Sequence, residues 1–159
     1  MTAIRKYLIK LEEYLLVLLI GAMTVVTFAQ VFFRFVLNSP LAWSEELARY
    51  LFVWITFIGA SVALHRWGHF QVDIVVNLFP DNIKKIIESA IYVLIMLFAS
   101  IIVYYGFVLT QYTSVQLSPA LQLNMAVPYF ALPLSGLLIF FHTLERFLFN
   151  DNGGKGEEK

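Results

Sequence analysis

From Ser89 to Leu144 the chain runs 56 residues without an Asp, Glu, Lys or Arg. A helix needs about 20 apolar residues to cross the roughly 30 Å hydrocarbon core of a bilayer. The run therefore has room for two crossings and the turn between them. No water-soluble domain of this size needs so long an uncharged stretch, so the chain is read in a membrane, with lipid as its solvent.

Composition narrows the function. The chain is 60% hydrophobic, and its 11 basic and 11 acidic residues balance. They sit between or beside the apolar runs, so no basic face exists for nucleic acid. There is no cysteine, which removes disulfides, thiolate metal sites and thiol nucleophiles. Arg5, Lys6 and Lys10 before an apolar run resemble a signal peptide. The run is too long and lacks a small-residue cleavage site, and is read as an uncleaved first helix.

Four crossings are predicted. Tyr14 to Phe33 is a 20-residue uncharged run closed by Arg34. Tyr50 to Leu64 has only 15 such residues, so its helix must begin nearer Glu45 to Leu47. The third crossing starts near Ile83 to Ile86 and extends to about Tyr112, and the fourth covers Ala126 to Glu145. Pro128 suits the first turn of the fourth, and Pro133 inside it should kink it. Nine basic residues lie at the N-terminus, the middle connection and the C-terminus, against Arg34 and Arg49 on the other side. The positive-inside rule then places both termini in the cytoplasm. Residues 1–149 form one membrane domain, and the Gly-rich polar residues 150–159 a disordered tail.

The segment between the first two crossings carries the most information. Ser39 and Pro40 signal a helix start. Glu45 and Glu46 each fall within helical reach of Arg49, and Trp43 and Tyr50 are residues that favour the headgroup level. The segment reads as an amphipathic helix lying in the interface, with Trp43, Glu45, Glu46 and Arg49 as candidates for subunit contact. The bland alternative is a solvated helix start with weak surface ion pairs.

Two further features stand out. At the other end of the second crossing, His69 and Asp73 follow Gly68, which permits a turn; a charged loop with an aromatic anchor is the plainer reading. On the first helix, Met23, Thr27, Gln30 and Arg34 form a stripe, and polar stripes in membranes contact other helices more often than lipid. Gly59 with Ala63, and Ala131 with Ser135, have spacing that permits close helix packing.

No charged residue lies mid-membrane, as a proton- or ion-coupled carrier would usually require. There is no phosphate loop, no Ser/His/Asp set and no metal cluster, so neither an enzyme nor a cofactor is expected. The chain reads as an accessory subunit.

Trp43-Ser-Glu-Glu-Leu-Ala-Arg49, continued by Tyr-Leu-Phe-Val-Trp54 and Ile58-Gly-Ala60, resembles the small membrane subunit of tripartite ATP-independent periplasmic (TRAP) transporters. Gly68-His69 with Asp73, Ser118-Pro-Ala120 and the Pro133 region extend the likeness over about residues 5 to 149. The chain departs from the pattern at Leu121-Gln-Leu-Asn124, where a Gly-containing turn is expected. The resemblance implies an all-α protein of four transmembrane helices in the bacterial inner membrane. It would serve a sodium-coupled importer of organic acids such as sialic acid or C4-dicarboxylates. Its partners would be a large elevator subunit, whose scaffold it enlarges, and a periplasmic binding protein. The polar tail suggests a chain separate from the large subunit.

Two other readings stand beside it. An autonomous dimeric carrier would need a membrane-embedded carboxylate, whereas Glu12, Glu13, Glu88 and Glu145 are expected at helix ends. A haem-binding anchor would need His65 and His142 to face each other.

Overall fold

The computed structural model describes residues 3–76 and 81–150. Four long helices dominate: α1 (Ala3–Phe35), α2 (Ala42–Val76), α3 (Asp81–Thr113) and α5 (Ala131–Asn150), with a single turn, α4 (Ala126–Tyr129), before the last. No strand occurs among the described residues beyond one isolated bridge, Leu117 to Asn124. Four spans are long and apolar enough to cross a bilayer: Tyr7–Phe35, Ala42–Leu64, Ile86–Thr113 and Ala126–Leu148. This is a multi-pass membrane protein, and the number and order of crossings are those expected. The expected tail beyond Asn150 lies outside the described residues.

The helices line up as α1–α2–α5–α3, with α1 packed on α2 alone. The α1 face turned toward α2 shows a 3–4 spacing: Ile9, Glu12, Leu16, Leu19, Met23, Val26, Gln30 and Phe33 are all at least half-buried. That is the seam of left-handed helix packing. Much of the rest of α1 is exposed apolar surface, including Val17, Leu18, Val25 and Phe28, and Thr27 of the expected stripe is exposed with it. Lipid or another protein must cover it.

Close approach of α3 and α5 needs the absence of side chains. A Cβ on Gly106 would lie 2.9 Å from the Pro133 ring, and one on Gly136 would lie 2.9 Å from Val103 Cγ2. Ala99, Ala131 and Ser135 are fully buried. The Ala131/Ser135 pair is therefore a packing face, as its spacing implied, whereas Ala63 is exposed. Membrane helices gain by dispersion and small-residue contact rather than by expelling water, which is why so few large apolar residues are buried.

Two helix limits differ from those expected. Residues 42–50 form the first turns of α2 and run unbroken into the second crossing, because nothing between Ala42 and Tyr50 stops a helix. The start also moves past Ser39: Leu41 O receives both the Ser44 N–H, at 3.2 Å, and the Ser44 hydroxyl, at 2.8 Å. At the other end, α2 continues through Gly68 to Val76, where a turn was expected; one glycine weakens a helix without ending it. In the fourth crossing α4 and α5 meet at Phe130, whose backbone stays right-handed helical (φ −62°, ψ −19°), with Phe130 N–H on Ala126 O at 2.9 Å and Leu134 N–H on Phe130 O at 3.3 Å; Pro133 lies inside the crossing and has no N–H to donate one turn back.

Candidate functional site

Two glutamates are buried, one near each end of the bundle, and each is bonded to distant parts of the chain. Glu46 lies in the second turn of α2 and is 8% exposed. Tyr50, one turn further on, donates its hydroxyl to Oε1 at 2.8 Å. The backbone N–H of Ala120, in the loop after α3, donates to Oε2 at 2.8 Å. The Ser118 side chain and the Leu121 backbone complete the carboxylate's partners. Met125 Sδ lies 3.1 Å from the Tyr50 hydroxyl. One carboxylate thus holds the Ser118-Pro-Ala120 segment to the start of α2.

The loop it holds is itself ordered. Ser118 N–H donates to Leu123 O at 2.8 Å, and its hydroxyl accepts from Leu123 N–H at 3.1 Å. Met125 N–H reaches Gln116 O at 3.0 Å, and the Asn124 side chain bonds Ser114 O at 2.6 Å. Gln122 turns the chain with φ 54°, a left-handed conformation that favours glycine. This is the position where a Gly-containing turn was expected; the turn exists and glutamine makes it. Asn38, with φ 50°, is the second left-handed residue and follows the end of α1, where Ser39 N–H returns to Phe33 O at 3.0 Å.

At the other end Glu12 of α1 is 6% exposed, as is His142 of α5. His142 Nε2 lies 2.8 Å from Glu12 Oε1, and the Ser61 hydroxyl of α2 donates to Oε2 at 2.9 Å. Three helices meet on one carboxylate. One turn away on the surface, Arg66 of α2 meets Glu13 at 2.7 Å. Glu12 was expected at a helix end; it lies in the third turn of α1, buried inside the bundle. Nothing local in the sequence pairs residues 12, 61 and 142. The one available signal was that an acid, a hydroxyl and a histidine each sit near the charged margin of a different crossing.

The other candidates scatter. Trp43, Glu45 and Arg49 are exposed at the start of α2. No ion pair joins Arg49 to Glu45 or Glu46 among the described residues, because Glu46 faces the loop. Gln30 is half-buried on the α2-facing seam, while Arg34 is exposed, its guanidinium 5.7 Å from the Phe35 ring centre. His69 and Asp73 fall on consecutive turns of α2, but their side chains lie outside the described residues. Among the described residues no group of three or more His, Cys, Asp or Glu could hold a metal. The haem reading needs His65 and His142 to face each other; His142 Nε2 bonds Glu12, and the side chain of His65 lies outside the described residues.

Sequence comparison agrees with this architecture. Residues 23–150 match the family described as tripartite ATP-independent periplasmic transporters, DctQ component. The chain is 31% identical over 150 residues, 94% of its length, to the sialic acid TRAP transporter permease protein SiaT of Haemophilus influenzae, of which it spans 24%. It is 36% identical over 76 residues to the C4-dicarboxylate TRAP transporter small permease protein DctQ of Vibrio cholerae, covering 48% of this chain and 33% of that one. With the sialic acid TRAP transporter small permease protein SiaQ of Vibrio cholerae it shares 26% identity over 147 residues, 92% of this chain and 84% of that one.

Proposed function

This chain belongs to the DctQ-component family of TRAP transporters, whose members are transport proteins and not enzymes, and we propose that it is the fixed scaffold of a binding-protein-dependent importer. In this reading it packs against a large elevator subunit in the bacterial inner membrane, with both termini in the cytoplasm. It holds no substrate site. The imported cargo is an organic acid of the sialic acid or C4-dicarboxylate class, driven by sodium and delivered by a periplasmic binding protein.

One observation carries the proposal. Both buried carboxylates are filled from within the chain, Glu12 by His142 and Ser61, Glu46 by Tyr50 and the loop after α3. A carrier's charged group must exchange partners as it binds and releases its cargo. These two tie helices together instead, which suits an element that stays still while another moves. Similarity to relatives named for two different acids also favours a cargo site in another chain.

Co-expression with the large permease subunit tests this directly. A one-to-one complex is expected from nanodiscs, with uptake in proteoliposomes that requires both binding protein and a sodium gradient. A chain that purifies alone as a dimer and moves an organic acid unaided would overturn the scaffold role.

A further inference from the structure

The outer face of α3 carries two tyrosines in an unusual place. Tyr104 and Tyr105 are 66% and 65% exposed, with rings edge to face at 5.2 Å between centroids. Neither hydroxyl has a hydrogen-bond partner among the described residues. Counting about 20 residues from Glu88, the last charge before the third crossing, the hydrocarbon extends to about Leu109. Both tyrosines then lie roughly 6–8 Å inside the boundary, at 1.5 Å per residue. Helical side chains lean toward the N-terminus of their helix. Here that direction is away from the nearer surface, so neither phenol reaches the headgroups by snorkelling. Tyr112, near the end of α3, needs no such explanation, because it sits where aromatic belts form.

Lipid tails offer these hydroxyls no acceptor. We infer that the Tyr104/Tyr105 face of α3 docks on a transmembrane helix of the large permease subunit, one that presents hydrogen-bond acceptors at that depth. The inference rests on the scaffold reading and names its contact face. Three features favour this occupant. α3 is an edge of the helix order, its other side being filled by α5. The exposed middle of α1, the opposite edge, is aliphatic at Val17, Leu18 and Val25, and suits lipid. In SiaT the matching region is a quarter of a longer permease chain, so a large membrane polypeptide accompanies this domain there.

A photo-crosslinking benzoylphenylalanine at position 104, with position 17 as control, tests the face in membranes co-expressing the large subunit. Crosslinking to the large subunit from 104 and not from 17 is expected. Tyr104→Phe and Tyr105→Phe keep the rings, and so the fold, while removing the hydroxyls. Each should lower recovered large subunit roughly three- to five-fold, the weight of one hydrogen bond between membrane helices. Wild-type recovery from the double variant, or adducts from 104 only to lipid or to a second copy, overturns the inference while the complex itself persists. Failure of the unsubstituted chain to form any complex overturns the scaffold reading, and this inference with it.

Discussion

Glu12 on α1 and His142 on α5 are hydrogen-bonded at 2.8 Å although the backbones of their helices do not pack against one another. With Ser61 they form a polar knot through which α1, otherwise held by α2 alone, is tied to the far side of the bundle. Removing one member of such a buried pair leaves the other desolvated and unanswered, which costs more than the pair contributes.

Glu12→Ala should therefore destabilise the protein by about 1–3 kcal/mol for each of the two partners it leaves unsatisfied, His142 and Ser61. Glu12→Gln, which can still bond His142 and Ser61, should cost about 1–2 kcal/mol. Unfolding in detergent–SDS mixtures measures both. Arg66→Ala is the control, because its pair with Glu13 is exposed and worth about 0–1 kcal/mol. Equal stability of Glu12→Ala and Arg66→Ala would contradict the knot.

Glu46→Ala should release the loop after α3, since Ser118, Tyr50 and two backbone groups lose their shared acceptor. Hydrogen exchange at Ala120 and Leu121 should speed up at least ten-fold, with α1 unaffected. Glu45→Ala, at an exposed position, should change nothing in that readout. If the two variants exchange alike, the clamp is wrong.

Gly136→Val or Gly106→Leu should separate α3 from α5, because the added carbons meet Val103 or the Pro133 ring. Overpacking costs of about 1–3 kcal/mol are a lower bound where backbone atoms are the obstacle. Gly21→Ala, with nothing within 4 Å of the new carbon, should instead stabilise α1 by about 0.5–1 kcal/mol. Thermal aggregation curves of the three variants separate these outcomes.

Gln122→Gly should raise stability by about 1 kcal/mol, because a left-handed turn strains any residue with a Cβ. A slower exchange rate at Leu123, whose N–H closes the turn on Ser118, is the expected sign. Faster exchange would mean that the glutamine side chain, bonded to Pro119 O at 3.1 Å, outweighs the backbone strain.

Much of the frame was legible before any coordinates. The uncharged run from Ser89, the third-helix start, and Pro128 beside the fourth crossing all appear where hydropathy and proline chemistry put them. Glu46 stood out as a candidate for contact at the start of the second crossing. Its partner was misread as Arg49, since i,i+3 spacing is visible in a sequence and a loop 74 residues away is not. Gly106 and Gly136 carry no local signal in the sequence, because a glycine's role as a contact is defined only by what stands opposite it.

By itself the sequence determined that this chain crosses a membrane four times, and which family it belongs to. Transfer from water to lipid is a sum over local residues, so it can be read one segment at a time. Only the tertiary structure decided the order α1–α2–α5–α3, the turn made by Gln122, and the partners of Glu12 and Glu46. Those depend on which groups from distant segments reach hydrogen-bonding distance in a medium that offers them no water, and pairing of that kind exists only once the helices are packed.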